Sequence, residues 1–271
     1  MTITGTRPSG QAAPPLAVRA RDLLASEWTK FWSVRSAYWT LLVAAVTPLA
    51  FSDLIAFAFA QPSAKGSSGP PPDPLSPAFC SLEYAVLAVC VLGVLQFSSE
   101  YSTGLIRTTF VAAPRRQAVL AAKAVITGLT TLAAGEITSF ASFFIDQAVL
   151  HARDLGVSWP HPGVPGAAVA NGTLLLACAM LALALGAITR HTAGGIAATI
   201  ALIALPSVLG LLPAPWGGRI GRFTIIDAAQ QVALLHPQAD MFSPALSMLV
   251  LRAWPAAALV IAAVTITRTE T

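Results

Sequence analysis

Six mainly apolar stretches, each near the length of a bilayer-crossing helix, constrain this chain more than any other feature. They run over 39–60, 80–97, 124–150, 168–189, 192–212 and about 246–267. A hydrocarbon core roughly 30 Å thick takes about 20 helical residues, which matches these lengths. Backbone groups in lipid must find partners within the segment itself, so each stretch is expected to be a helix. Charge is scarce in the same sense. Only 10% of the 271 residues are Asp, Glu, Lys or Arg, against roughly 25% in soluble globular proteins. The Pro-, Gly- and Ser-dense segment 61–77 and the segment 151–165, with Trp159-Pro160-His161-Pro162-Gly163, carry turn chemistry and read as loops. Ala58-Phe59-Ala60 has the form of a signal-peptidase site, but 38 residues precede the first apolar run and five more runs follow it, so this run is expected to be retained as a span.

Orientation follows from Lys and Arg, which accumulate on cytoplasmic loops. One side of the six runs receives Arg7, Arg19, Arg21, Lys30, Arg35, Arg107, Arg115, Arg116, Lys123, Arg190 and Arg268. The other receives Lys65, Arg153, Arg219 and Arg222, and Arg252 lies inside the last run. Both termini are therefore expected in the cytoplasm, and the net charge of +4 reads as topology rather than as a nucleic-acid footprint. The expected fold is all-α and integral to the membrane: a flexible cytoplasmic arm over 1–18, then a single six-helix domain over 19–271.

An amphipathic helix is expected ahead of the first span, over 20–36. At 100° per residue Leu23, Leu24, Trp28, Phe31, Trp32 and Val34 gather on one arc, with Asp22, Ser26, Thr29 and Ser33 opposite. Such a helix lies in the headgroup plane, its Trp rings at the interface and Arg21, Lys30 and Arg35 near anionic lipid.

Between the second and third runs, 99–123 is too long for a tight turn. Glu100 follows the second run, Gly104 lets the chain change direction, and Leu105, Ile106 and Phe110 form an apolar patch beside Arg107. Pro114 ends one short element, and Arg115, Arg116 and Lys123 open the next helix with positive charge. By composition alone this is a solvated basic loop. The order Glu100-x-x-x-Gly104-x-Ile106-Arg107, then Pro114-Arg115-Arg116 and Lys123, resembles the coupling region of ATP-binding-cassette permeases of the drug and polysaccharide export (ABC-2) type. Ser26-Glu27-Trp28-Thr29-Lys30, with Arg35-Ser36 ahead of Tyr38-Trp39, is similar to the elbow entry of actinobacterial members. Beyond the fifth run, where such permeases often carry a Leu-Pro-x-x-Ala-Gly-like element, this chain has Thr224-Ile225-Ile226-Asp227-Ala228-Ala229-Gln230.

The resemblance implies an exporter subunit of the bacterial cell membrane without ATPase chemistry of its own, paired with a second permease and driven by separate nucleotide-binding subunits that hold ATP and Mg. It also implies that Glu100 to Arg116 docks on that subunit, through Arg107, Arg115 and Arg116 as charges and Leu105, Ile106 and Phe110 as apolar contacts. The sequence has no Gly-Lys dipeptide and hence no phosphate-cradling G-x-x-x-x-G-K-[ST] loop. A membrane scaffold or immunity protein, and an ion-coupled transporter using Glu136, are the other readings. What is exported stays open among hydrophobic drugs, lipid-like molecules and peptides.

Charged residues at membrane depth are costly and are candidates for function. Glu136 falls near the middle of the third run, Asp53 and Asp146 toward the outer ends of the first and third, Glu83 at the start of the second and Arg252 in the sixth. Two arrangements are expected: Arg252 paired with Asp53, Glu83 or Asp146 as a structural contact, or the same groups as an outer gate, with Glu136 lining a path. Gly128, Thr131, Gly135, Ser139, Ser142 and Asp146 form a small-residue stripe, and Ala182 with Gly186 repeats the spacing; both suit helix packing or a dimer seam. Asn171-Gly172-Thr173 fits a glycosylation acceptor but opens the fourth run, close to the membrane. Enzyme signatures are lacking: His151, His161, His191 and His236 stand alone in loops or at helix ends, and Cys80, Cys90 and Cys178 form no C-x-x-C pair.

Overall fold

The computed structural model describes residues 16–61, 73–102, 104, 116–209, 211–212, 216–237 and 241–268. These are helical throughout, with no strand among them. The order is α1 (Leu16–Ser33), α2 (Arg35–Phe59), α3 (Ser76–Ser102), α4 (Arg116–His151) and α5 (Val164–Thr189). Five shorter or later helices follow: α6 (Thr192–Ile203), α7 (Leu205–Leu209), α8 (Trp216–Gly221), α9 (Ile225–Ala233) and α10 (Pro244–Arg268).

Five of them, α2, α3, α4, α5 and α10, are long and apolar enough to cross a membrane. At 1.5 Å per residue the 25 residues of α2 span about 38 Å, and the 36 of α4 about 54 Å. The bundle wears apolar side chains outward, among them Trp39, Leu42 and Leu54 on α2, Leu129 and Ile137 on α4, and Leu249 and Val260 on α10. Water does not tolerate such continuous apolar faces, whereas lipid does, and this is the surface of a multi-pass membrane protein.

The run at 192–212 differs from the single helix expected. It is two pieces, with Ala204 between them and Pro206 as the second residue of α7. Proline supplies no backbone N–H for the carbonyl four residues back and its ring crowds that carbonyl, so the ladder of α6 stops short of it. Neither piece alone reaches across a bilayer: the 12 residues of α6 make about 18 Å. Pro48 and Pro255, by contrast, lie inside continuous α2 and α10.

Helix α5 sits at the centre, packed against α3, α4 and α10, with α6 and α9 also on it. Its small residues make this possible. A Cβ on Gly135 of α4 would stand 2.6 Å from the carbonyl oxygen of Gly172, and one on Gly186 of α5 would stand 2.9 Å from that of Val94 on α3. Gly93 of α3 faces the backbone of Ala179 and the Ala182 side chain just as tightly. Ser139 also donates to the carbonyl of Ala168 across the α4–α5 seam at 2.7 Å. The small-residue stripe of the third run, and Ala182 with Gly186, therefore serve packing within one chain. Around these approaches Phe79, Leu82, Phe97, Leu174, Leu181, Leu251 and Ile266 fill one core.

Candidate functional site

At the end of the bundle where α1 lies, four charges meet. Lys123, two turns into α4, holds Glu27 of α1 at 2.7 Å and Glu100 near the end of α3 at 2.8 Å. Lys30 of α1 closes the ring from outside, 2.7 Å from Glu27 and 3.2 Å from Glu100. The side chains of Lys123 and Glu27 are each only 3% exposed, while that of Lys30 is 43% exposed. Two acids and two bases sum to zero, so desolvating them is offset by four close contacts rather than by solvent. Glu100 Oε2 is buried and accepts no hydrogen bond.

Each partner arrives for a local reason. Glu27 sits four residues after Leu23 and four before Phe31, on the buried side of α1. Lys123 belongs to the buried row Val119, Leu120, Lys123, Ile126 and Thr127 of α4. Burial would lower the Lys30 pKa, but the hydrogen bond and charge of Glu27, with the charge of Glu100, outweigh it and leave the group above its ordinary value. A base raised in the folded state stabilises fully below its unfolded value of about 10.4 and loses that contribution as pH rises through the folded one. Removing Lys30, a half-exposed partner, should therefore cost about 1 kcal/mol or less. The thermal melts of wild type and Lys30→Ala should converge only above about pH 10.

The ring fastens α1 to the two helix ends that flank residues 103–115. Of the residues expected to couple to an ATPase, Glu100 stands in the ring, Gly104 is exposed at φ +73° and Arg116 opens α4. Leu105, Ile106, Arg107, Phe110, Pro114 and Arg115 lie outside the described residues. Two further contacts gather at this end. The Arg190 guanidinium lies 5.6 Å from the centre of the Tyr101 ring, and Thr192 donates to Ser98 at 2.9 Å.

The entry helix departs from its expected form. Val34 is extended (φ −92°, ψ 115°), so α1 ends at Ser33, and Arg35 becomes the first residue of α2 rather than the last turn of the elbow. The single apolar arc is also divided. Phe31 is buried against Ala37, Leu92 and Ile126, with Leu24 and Trp32 partly covered, while Trp28 and Val34 remain exposed. Trp32 lies at the centre of an aromatic group, 5.6 Å from Trp28, 5.3 Å from Phe31 and 5.1 Å from Tyr38 between ring centres. This group spans the α1–α2 bend.

Of the charges expected within the spans, Asp53 comes near Asp146, but Arg252 joins none of the acids. Asp53, Glu83 and Arg252 are exposed, and Arg252 makes no ion pair with any described residue. Its expected pairing with Asp53, Glu83 or Asp146 is thus not formed; Arg252 turns outward on α10. Glu136 is half-buried, its carboxyl filling the notch that Gly172 leaves on α5, with Oε2 buried and unpartnered. Asp146 is wholly buried. At that same end, Asp73 Oδ2 accepts from the backbone N–H of His236 at 2.6 Å, clasping the segment before α3 to the one after α9.

No protein-family model matches the chain, and no curated protein matches it.

Proposed function

We propose that this chain is the permease subunit of an ATP-dependent exporter of the drug and polysaccharide type, in a bacterial cell membrane with both termini inside. It works beside a second permease and two ATPase chains. The observation that carries this reading is the four-charge ring. It ties an amphipathic entry helix to both helix ends flanking 103–115, the segment that by resemblance docks on an ATPase. Movement imposed on that segment would reach α1, α3 and α4 together, because rigid helices joined by buried ion pairs move as one piece. ATP enters as a ligand of the partner that favours one state of the assembly. In this reading α6 and α7 together supply the sixth crossing.

Affinity purification of the tagged chain in mild detergent, with the ATPase encoded beside it co-expressed, should recover both. Replacing Arg107 and Phe110 should abolish recovery of the ATPase while leaving the permease folded. A wild-type chain that brings down no ATPase would defeat the proposal and favour a non-transporting membrane scaffold.

A further inference from the structure

The far end of the bundle holds an incomplete ionic site. Asp146 on α4 is 0% exposed, and its one close hydroxyl, that of Ser52 on α2, falls short of a well-formed hydrogen bond to either carboxylate oxygen. Ser142, one turn earlier on the same face, is equally buried with its hydroxyl unpartnered. Ser52 of α2 neighbours Asp146, and its hydroxyl donates to Ser81 of α3 at 3.3 Å; both serines are 0% exposed. One carboxylate and three buried hydroxyls from three helices thus gather here, the Ser81 hydroxyl donating to the Ala78 carbonyl at 2.9 Å while it accepts from Ser52. Gln147, the next residue, shows how well neighbouring polar groups are satisfied. Its amide donates to the Pro74 carbonyl at 3.0 Å and accepts from the Val157 N–H at 2.7 Å.

Among the described residues no positive side chain pairs with it: Arg153, just beyond α4 at this end, donates instead to the Ala60 carbonyl at 3.3 Å and lies over the Phe57 ring. Among those residues, Asp53 on α2 acts on Asp146, and Cys80 on α3 stands near both Asp146 and Glu83; none of these carries a positive charge. The central helix α5 has no Asp, Glu, Lys, Arg or His over its whole length. Arg252 of α10 is exposed, and the lysines of α1 and α4 are engaged in the ring at the opposite end. A buried carboxylate without a positive partner, in a protein that is itself in lipid, is among the most costly arrangements a chain can hold.

We propose that Asp146, with Ser52, Ser81 and Ser142, binds one monovalent cation, a proton or Na⁺, while the outer ends of α2, α3 and α4 are packed together. The cation neutralises the carboxylate and the hydroxyls complete its surroundings. Parting of these three helix ends would admit water and release it, so occupancy favours the closed arrangement by mass action. The inference does not depend on the ATP-driven reading.

The test uses the full chain in detergent and reads the thermal melting midpoint. It is measured from mildly acidic to mildly alkaline pH, in NaCl and in N-methylglucamine chloride of equal ionic strength, for wild type, Asp146→Asn and Ser142→Ala. If the cation is a proton, the wild-type midpoint falls as pH rises whichever salt is present. If it is Na⁺, the midpoint rises with sodium. In either case Asp146→Asn, neutral and of the same shape, should fold and lose that dependence, and Ser142→Ala should shift the pH or sodium concentration at which it occurs. Parallel wild-type and Asp146→Asn curves would overturn the proposal. Should Asp146→Asn fail to fold, a Ser142→Ala curve superimposed on that of wild type would overturn it equally.

Discussion

Replacing Lys123 by alanine should destabilise the chain by about 3–5 kcal/mol, the usual cost of removing one partner from a buried ion pair. The substitution strands two carboxylates, those of Glu27 and Glu100, in a site whose remaining base is the half-exposed Lys30. Attraction between charges in such surroundings is strong, but so is the penalty for taking them from water, and the loss of one partner leaves the penalty unopposed. The check is thermal unfolding in detergent beside a second variant combining Lys123→Met, Glu27→Gln and Glu100→Gln. Removing all three charges together should recover most of the lost stability, because the cost arises from uncompensated charge rather than from missing volume. Equal loss in both variants would mean that the ring contributes only packing.

The second large effect concerns Gly93. A methyl there would press on the Ala179 carbonyl and come within 2.8 Å of the Ala182 Cβ and 3.0 Å of the Leu183 nitrogen, two of the three atoms being backbone that cannot rotate away. Gly93→Ala should cost about 1–3 kcal/mol, since α3 and α5 must part along their length. That outweighs the roughly 1 kcal/mol by which alanine is the better helix former. Gly93→Leu should leave no monodisperse protein on size exclusion. Gly128→Ala supplies the control: its nearest contact would be the Leu176 Cδ1 at 3.4 Å, an ordinary distance to a flexible side chain, and with alanine's helix preference unopposed the variant should melt at or above wild type. If both alanine variants melt alike, the close approach of α3 and α5 is not what holds the bundle.

The five long helices were legible because length and apolarity are properties of each segment alone. The break at Ala204 was less so: Pro206 was visible, but Pro48 and Pro255 are accommodated within helices, and proline by itself does not say which outcome prevails. The charge ring was hidden for a different reason. Lys123 lies 96 and 23 residues from its two acids, and no local pattern beyond the Glu27–Lys30 pair points to the ring. One signal was present. Glu27 falls between Leu23 and Phe31 on the apolar side of its own helix, and an acid in that place calls for a base from elsewhere. Lys123 gave the matching sign, at the edge of an apolar run, yet it reads as one of eleven orienting bases and as the end of the motif that begins at Glu100, and neither role points to Glu27. Asp146 was recognised as a costly residue, but its isolation from Arg252 depends on which way each helix turns, which composition does not encode.

The neutrality of the ring has an electrical consequence. A charge carried through the whole membrane field exchanges about 2.3 kcal/mol of work for each 100 mV, and four charges summing to zero exchange none when they travel together. A conformational change transmitted through Glu27, Lys30, Glu100 and Lys123 as a unit should therefore contribute no gating current. With Lys123 replaced by alanine the unit carries a net negative charge, and the same motion becomes sensitive to membrane potential.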